Sequence, residues 1–365
     1  MPPTRASKRL KTTAGTALSE SEPQPEVTPS HSTTSNRATV LFEVYPALDR
    51  IPDDVLLEIL SHLSTITEGH VLYCHYQAPP AVPVETRERT DVLRALSQTC
   101  KLLRTRCFPL AWRRFEVCTA PPSTSFYRVL GEAMKTKMSC LGEATHLLPL
   151  LQTVTVGLTR YQVADIIPAF ARCLASMPNL HTVEVVHAHS QMTTALKQAF
   201  EGRTFPTVRK IVLPSCAHEI LRCCSGVEDV ACNEDSGSTI IGAIVKGNCT
   251  DVRKLIGISA PIKRLVKVIP NLRIISVANQ VPAVEALSQF PKLEVIEVDL
   301  FMSTPVVRKD KSLALQAPKI IEAARNVLKG NQSTAEKTIR LRLTERRWYF
   351  KRSVAERDIL EVVRV

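Results

Sequence analysis

The stretch at 178–185 reads Pro-Asn-Leu-His-Thr-Val-Glu-Val and places apolar residues at Leu180, Val183 and Val185. The same apolar spacing begins again at positions 151, 208, 227, 272 and 293, and a partial copy begins at Val252, where Gly257 takes the last apolar place. Alternating polar and apolar side chains are typical of a strand with one buried face. Successive copies start 19 to 29 residues apart, which indicates a repeated structural unit.

Proline marks the approach to most of these predicted strands. It stands two residues before the first apolar position in five of the seven copies, at Pro149, Pro178, Pro206, Pro270 and Pro291. Because proline cannot continue a helix, it separates a helix from the strand that follows. Helical periodicity between the strands predicts helices at 163–176, 192–200, 281–289 and 319–328. The pattern therefore predicts an α/β fold of short parallel strands and helices.

This pattern resembles the leucine-rich repeat, a solenoid in which each short strand returns through a helix. The repeat lengths vary, and only the copy at Val208 keeps the family's cysteine three residues after the last apolar position, as Cys216. We therefore expect an irregular leucine-rich-repeat-like solenoid. The alternative is a mixed α/β domain whose proline-flanked strands do not form a true solenoid.

In such a solenoid the strand residues between the apolar ones face a concave surface, because side chains alternate between the faces of a strand. Charge sign alternates along this strip, which suits a surface that binds a protein partner. The alternative is that neighbouring strands simply pair opposite charges. The candidate substrate-binding residues are Glu184, Arg209, Lys210, Glu228, Asp229, Arg253, Lys254, Arg273, Glu294 and Glu297.

A second pattern precedes the repeats. Apolar residues recur at helical spacing over 51–63 after a Pro52-Asp53-Asp54 opening, and helical periodicity returns at 91–104 and continues to 115. Pro109 is predicted to break or restart the second helical run. Between the two runs, residues 64–90 are rich in proline and charge and predict a loop insertion at the surface.

The order of these features resembles the F-box, a small three-helix module. Ile51-Pro52-Asp53-Asp54 with Ile59-Leu60-Ser61-His62-Leu63 matches its first helix, and Leu96-Ser97-Gln98-Thr99-Cys100-Lys101 followed by Trp112 matches its later segment. The resemblance implies docking on a Skp-type adaptor and its cullin scaffold in an SCF-type ubiquitin ligase. The implied adaptor contacts are Pro52, Ile59, Leu60, Leu63, Leu96 and Trp112. The alternative is a set of ordinary core helices.

The charge of the chain is unevenly distributed. The 365 residues carry a net charge of +12, of which +8 belongs to residues 301–365. A near-neutral body does not suit a phosphate-binding surface, so nucleic acid is an unlikely partner. The mixture of cations and aromatics at 346–352 keeps a nucleic-acid- or chromatin-binding role open as the alternative function, against a cap that closes the repeats.

The sequence lacks the Gly-x-Gly-x-x-Gly and Walker-type motifs that bind phosphate. It also lacks the His-Glu-x-x-His zinc motif and the Gly-x-Ser-x-Gly motif of a catalytic serine. The eleven cysteines lack close Cys-x-x-Cys spacing, so no metal, cofactor or catalytic residue is expected, and the protein is interpreted as a non-enzyme. Free thiols favour the nucleus or cytoplasm. No apolar run reaches the roughly 18 residues of a membrane span.

Four segments result from these patterns. Residues 1–45 form a Ser/Thr/Pro-rich tail expected to be disordered, with a short basic cluster that is either a nuclear-import signal or a solvated charge run. Residues 46–118 form the F-box-like helical module, with its loop insertion at 64–90. Residues 119–335 form the repeat domain, and 336–365 form the basic C-terminal capping segment. The expected function is recognition of an unknown protein substrate for ubiquitylation.

Overall fold

The computed structural model describes residues 51–74, 80–120, 126–259, 262–301, 317–349 and 352–365, with only the backbone path at 301 and 343–360. The predicted tail at 1–45 and its basic cluster lie outside these residues. Pro52–Val365 forms one compact unit. The predicted helical module and the predicted repeats therefore belong to the same folded body.

The fold is mixed α/β, as predicted, and is built on one ten-stranded sheet whose strands follow one another in chain order. Strands β1 to β9 run parallel to their neighbours, and β10 returns antiparallel to β9. The strands are β1 Arg114–Val117, β2 Thr153–Leu158, β3 Thr182–Ala188, β4 Lys210–Pro214, β5 Asp229–Glu234, β6 Lys254–Ile256, β7 Ile274–Ala278, β8 Val295–Phe301, β9 Thr338–Tyr349 and β10 Arg352–Arg364.

Helices precede the sheet and connect its strands. The α-helices are α1 Asp53–Ser61, α2 Glu68–Tyr73, α3 Glu88–Leu96, α4 Lys101–Ala111, α5 Phe126–Glu143, α6 Val163–Ala175, α7 Thr193–Phe200, α8 His218–Leu221, α9 Ser238–Lys246, α10 Val281–Glu285 and α11 Pro318–Lys329. Short 3₁₀ helices lie at Val84–Arg87, Thr145–Leu150, Ser190–Met192, Ser215–Ala217, Ile262–Leu265 and Ala286–Gln289. Three of the four helices predicted between strands are thereby confirmed to within a residue or two, whereas the α-helix predicted at 281–289 ends at Glu285 and is followed by a 3₁₀ helix to Gln289.

The repeated apolar spacing positions one continuous core. The central apolar residue of each copy pairs in register with that of the next, from Phe115 on β1 to Ile339 on β9. The intermediate members are Val154, Val183, Ile211, Val230, Leu255, Ile275 and Ile296. All of them are buried together with apolar residues from α5 to α11. This face of the sheet, which we call the outer face, is therefore covered by the connecting helices.

The prolines act as the sequence predicts. Pro178, Pro206, Pro270 and Pro291 lie in turns before their strands, and Pro149 lies in the 3₁₀ helix before β2.

Cys216 also has a local role, because its Sγ donates to the carbonyl oxygen of Ala188 at 3.1 Å. The turn residues thus end helices and satisfy backbone groups beside the strands.

Two local predictions are wrong. Pro109 does not break a helix, because α4 runs through it to Ala111. Pro109 lies two residues before the end of α4, where the missing N–H removes a single hydrogen bond, and its side chain is exposed. The helical run predicted to continue to 115 ends at Ala111, because Arg114–Val117 forms β1 and pairs with β2.

Gly257 explains the shortest strand. It follows β6 with a φ of +70°, and a Cβ at this position would collide with the carbonyl oxygen of Cys232 on β5. Glycine alone combines the left-handed conformation with this close approach. The partial copy at Val252 therefore lacks its last apolar residue for a steric reason.

We predict that Gly257→Ala lowers the free energy of unfolding by at least about 2 kcal/mol, since both the backbone conformation and the contact with Cys232 disfavour a side chain. Gly242→Ala is the matched control, because Gly242 lies inside α9 with open space around its Cα. This control should raise stability by up to about 1 kcal/mol. Urea denaturation of both variants measures the difference, and equal effects would contradict the steric explanation.

Candidate functional site

The second face of the sheet, which we call the inner face, carries the residues that alternate with the core positions. Both polar and apolar residues lie on this face and pair across neighbouring strands. Glu184 on β3 pairs with Val212 on β4, and Ser276 on β7 pairs with Glu297 on β8. Although the polar members Thr155, Glu184, Ser276 and Glu297 lie outside the main core, each is at most 5% exposed. Something other than the connecting helices therefore covers the inner face.

The cover is the segment predicted to be a surface loop. Ile66 and the residues of α2 and its end, Val71 to Cys74, form a second buried cluster with inner-face residues of the sheet. The sheet contributes Val186, Val212, Ala231 and Ile256, and the loops at its start contribute Val82 and Cys118. The insertion at 64–90 thus differs from the expected loop, because a parallel sheet buries both faces and this one supplies its own cover.

Local sequence explains why α2 forms despite its six residues. Thr67 accepts a hydrogen bond from the backbone N–H of His70 at 3.4 Å, and Nδ1 of His70 accepts from the N–H of Thr67 at 3.1 Å. This reciprocal capping box satisfies two backbone donors that a short helix leaves unpaired. Burial of Val71 and Leu72 then stabilises a helix that would be marginal in isolation.

Polar contacts fix α2 on the sheet. Glu68 Oε1 lies 3.1 Å from Lys210 Nζ on β4 and 3.6 Å from Lys254 Nζ on β6. Asn233 on β5 donates its Nδ2 to the carbonyl oxygen of Val71 at 3.0 Å. Arg114 donates to the carbonyl oxygen of Ile66 at 3.1 Å, which adds a contact from β1.

These contacts require the sheet to curve around α2. The helix packs against β3, β5 and β10, and Arg342 on β9 donates to the hydroxyl of Tyr73 at 3.4 Å. Six strand spacings separate β3 from β9, which amounts to about 29 Å in a flat sheet, whereas a six-residue helix is about 9 Å long. The inner face is therefore concave, with α2 lying inside the curve.

The two lysines and Glu68 form a compact charge cluster with Asp229. Asp229 stands between Lys210 and Lys254 in the register of the sheet. Burial opposes ionisation of Glu68, but the charges of Lys210 and Lys254 together outweigh it, so the pKa of this carboxyl lies below its ordinary value. For Asp229 burial dominates over the same lysines and raises its pKa. The structure thus brings three predicted substrate-binding residues together around a residue of α2.

The other predicted substrate-binding residues divide into a partly exposed row and a buried pair. Arg209, Glu228 and Arg253 form a chain of ion pairs at 3.9 and 3.5 Å, and Arg273 pairs with Glu294 at 3.5 Å. These side chains lie just before their strands, so this row pairs opposite charges from neighbouring repeats, as the alternative interpretation of the strip describes.

Glu184 and Glu297 are instead buried on the inner face. Glu184 accepts a hydrogen bond from Thr155 at 2.7 Å. Glu297 is 2% exposed and lies 3.1 Å from Arg340 and 3.7 Å from Arg342 on β9. Two cations of the basic C-terminal segment therefore lie on β9 beside the buried carboxylate of Glu297. The side chains of the cations at 346–352 lie outside the described residues.

The helical module presents a different kind of surface. In the described residues eight large apolar side chains are exposed, and five of them lie between residues 55 and 102. Val55, Leu57 and Ile59 on α1 are 44%, 48% and 50% exposed, and Leu102 on α4 is 45% exposed. Most of the exposed large apolar side chains of the described residues therefore belong to this module.

The predicted adaptor residues occupy unlike environments. Pro52 and Ile59 are exposed, Leu63 and Leu96 are half-buried, and Leu60 is 1% exposed. Trp112 is also half-buried and lies between Phe108, at 6.2 Å between ring centroids, and the guanidinium of Arg94, at 5.0 Å. Leu60 and Trp112 therefore support the module from inside, and Pro52 and Ile59 are accessible to a partner.

The motif residues also shape the turn between α3 and α4. Ser97 follows α3 and donates its hydroxyl to the carbonyl oxygen of Arg94 at 2.7 Å. Cys100 precedes α4, where its Sγ accepts from the N–H of Leu103 at 3.5 Å. Asp53 at the start of α1 is tied to Arg106 on α4 at 2.6 Å. Ser97 and Cys100 thus shape the ends of α3 and α4, and Asp53 joins α1 to α4.

Cysteine and histidine side chains were the remaining candidates for chemistry. None of the eleven cysteines forms a disulfide, and burial raises the pKa of Cys216 to about 12 and of Cys223 and Cys249 to about 11. High thiol pKa values oppose the thiolate form needed for nucleophilic attack or metal binding. Within the described ranges no group of three or more His, Cys, Asp or Glu side chains is arranged to hold a metal ion.

Sequence reasoning missed Glu68 and Asn233, the residues that fix α2 on the sheet. A signal for α2 was present, because Thr67 precedes a short run of apolar residues at 71–74 and has the character of a helix N-cap. The proline content of the insertion obscured it. Asn233 directly follows a core cysteine on β5, and its long-range contact with Val71 has no local signal.

No protein-family model matches the chain, and no curated protein is significantly similar to it in sequence. In the part of the chain that the structure describes, no helix has the length and apolar character required to cross a membrane.

We predict that Glu68→Gln lowers the free energy of unfolding at pH 7 by up to about 1 kcal/mol, because it removes a half-buried ion pair. Since the folded-state pKa of Glu68 is lowered, its contribution is present above the ordinary value of 4.5 and is lost as the pH falls through the lowered pKa. Denaturation curves from pH 7 to pH 3 measure the difference between the two proteins. Glu85→Gln, an exposed change in the same insertion, should alter stability at pH 7 by less than about 0.5 kcal/mol.

A second pH effect belongs to His187 on β3. Burial, with a smaller effect of His189, lowers the pKa of its imidazole to about 4, and its ring lies 6.4 Å from that of Phe126 and 6.3 Å from that of Tyr127. In the unfolded chain this imidazole binds a proton as the pH falls through its ordinary pKa of 6.5, whereas in the folded chain it stays neutral until about pH 4. The free energy of unfolding therefore falls from pH 6.5 toward pH 4. His187→Phe should reduce this slope in denaturation experiments, and an unchanged slope would refute the assignment.

Proposed function

We propose that this protein is the substrate-recognition subunit of an SCF-type ubiquitin ligase, in which an F-box-like module at 46–118 docks on a Skp-type adaptor linked to a cullin. The repeats at 119–335 then form an irregular leucine-rich-repeat-like solenoid that holds the protein to be ubiquitylated. The observation that carries the proposal is the exposure of Val55, Leu57 and Ile59 on a helix whose sequence already resembles the first F-box helix.

The geometry of α1 supports docking through this helix. Leu56 and Leu60 are buried and hold α1 on the module, so the exposed residues are not required for its own packing. Ile59 follows Val55 by four residues, which places both on one side of the helix. A partner that covers them removes apolar surface from water, at roughly 25 cal/mol per Å².

The arrangement of the sheet supports the second half of the proposal. Strands β1 to β9 in chain order, each joined to the next by a helical segment and aligned by one apolar register, are the features expected of stacked repeats. The partly exposed row from Arg209 to Glu294 remains accessible to a bound protein, whereas Glu184 and Glu297 are covered. In this proposal the mechanism is tethering, which raises the effective concentration of substrate near the ubiquitin carrier.

Substitution of the exposed residues tests the adaptor contact. We predict that the double variant Val55→Asp, Ile59→Asp loses adaptor affinity by at least tenfold, because two charges would be buried against an apolar partner surface. Calorimetric titration of the purified full chain with a Skp-type adaptor measures this. A folded double variant that binds like the wild type would contradict the proposal, as would a wild-type chain that does not bind.

The control is Val362→Asp, because Val362 on β10 is 50% exposed, as Ile59 is, and lies outside the module. It should bind the adaptor as the wild type does. Leu60→Asp is unsuitable for this purpose, since Leu60 is 1% exposed and a buried charge would unfold the module.

A further inference from the structure

A cavity of about 340 Å³ lies on the concave inner face beside the end of α2, at the carboxyl ends of β5 to β8. Leu72 and Tyr73 form one side of it, and Ile256 and Ser276 of the sheet lie on another. Its volume falls within the range of about 300–1,000 Å³ that holds small ligands or single side chains. It is part of the concave face that α2 leaves open.

The cavity is lined by acceptors and negative charge. Glu234, Asp235 and Asp299 contribute carboxylates, and none of the described lining residues is a lysine, arginine or histidine. The contrast with the +12 net charge of the whole chain is large. Burial, together with the charge of Asp235, raises the pKa of Glu234, so this wall gains from a nearby positive charge.

Asn233 is a second, independent observation, because its side-chain oxygen lacks a hydrogen-bond donor. The residue is 3% exposed and lines the cavity, and its Nδ2 is held by the carbonyl oxygens of Val71 and Val185, each at 3.0 Å. Its Oδ1 is buried without a hydrogen-bond partner in the described structure. Leaving a buried acceptor unsatisfied costs about 1–3 kcal/mol, and a ligand donor recovers it when Oδ1, which has almost no accessible surface here, turns toward the cavity.

The backbone holds the acidic residues in place. Asp235 adopts a φ of +64° and is followed by Gly237 at +72°, so the chain turns sharply after β5, and Gly257 turns the chain after β6. Ser276 donates its hydroxyl to Asp299 Oδ2 at 2.6 Å, which orients that carboxylate from the floor of the sheet. The site is therefore formed by strand ends and tight turns.

We propose that this cavity binds an arginine side chain presented by the protein that the repeats hold. A guanidinium carries five N–H donors in one plane, which suits acceptors that are spread along a wall, and its face stacks on an aromatic ring such as that of Tyr73. A single metal ion does not fit, because the described acidic residues are not arranged around one point. This inference rests on the proposed function, in which the repeats hold the protein to be ubiquitylated. It adds that this protein is recognised through an arginine side chain.

The test uses pools of fluorescein-labelled nonapeptides whose central residue is arginine, lysine or citrulline and whose other positions are mixtures of neutral residues. Fluorescence polarisation with the full chain should show the arginine pool binding at least tenfold more tightly than the citrulline pool, which has the same shape without the charge. Equal binding of the two pools would overturn the proposal.

Two variants place the binding in the cavity. Glu234→Gln with Asp235→Asn removes two charges, keeps the size of both side chains and retains a residue type that tolerates the positive φ. Ser259→Trp fills the cavity from an exposed position. Both should abolish the preference for arginine, whereas Glu285→Gln with Glu322→Gln, which removes two exposed charges from α10 and α11, should retain it. A preference that survives in both cavity variants would overturn the proposal.

Adaptor binding by the same proteins separates the two proposals. The cavity variants should bind the adaptor like the wild type, because the substitutions lie on the sheet and not on α1. A chain that selects arginine peptides and ignores the adaptor leaves the cavity assignment standing and refutes the ligase role. A chain that binds the adaptor without selecting arginine refutes the cavity assignment alone.

Discussion

A parallel sheet must be covered on both faces, and this constraint organises the whole molecule. The connecting helices satisfy it on the outer face, where the register from Phe115 to Ile339 forms a continuous core. On the inner face the chain uses α2, a six-residue helix from a segment that lies before the first strand. The concave curve of the sheet follows from the same requirement, since one short helix contacts strands that a flat sheet would hold far apart.

The cover also changes how the charges of the repeats should be understood. Lys210 and Lys254 are engaged by Glu68, and Glu297 is engaged by Arg340 and Arg342. What remains accessible is the ion-paired row before the strands and the acidic cavity beside Tyr73. The accessible polar groups of this face are therefore a small number of carboxylates and amides at the strand ends, although the chain as a whole is basic. The helical module exposes apolar side chains instead, so the two proposed interactions differ in their physical character.

Much of the fold was predictable because its signals are local. The apolar spacing and the prolines before it located the strands, and the periodicity between them located α6, α7 and α11. The error at Pro109 arose because one proline removes only a single backbone hydrogen bond, and the rest of α4 is sufficient to keep the helix going to Ala111. The candidate sites were less accessible to sequence reasoning. Alternation placed Glu184 and Glu297 on the correct face, but alternation carries no information about whether another segment covers that face.

The sequence by itself determined the order of the elements, their mixed α/β class and the alternation of faces, since these depend on residues close together in the chain. The tertiary structure decided which inner-face residues are buried, because that depends on Glu68 and Val71 meeting Lys210 and Asn233 across more than 140 positions of sequence. It also decided that Leu60 supports the module and Ile59 lies open to a partner. Contacts at such separation follow from how the whole sheet curves, and no local pattern of residues encodes that curve.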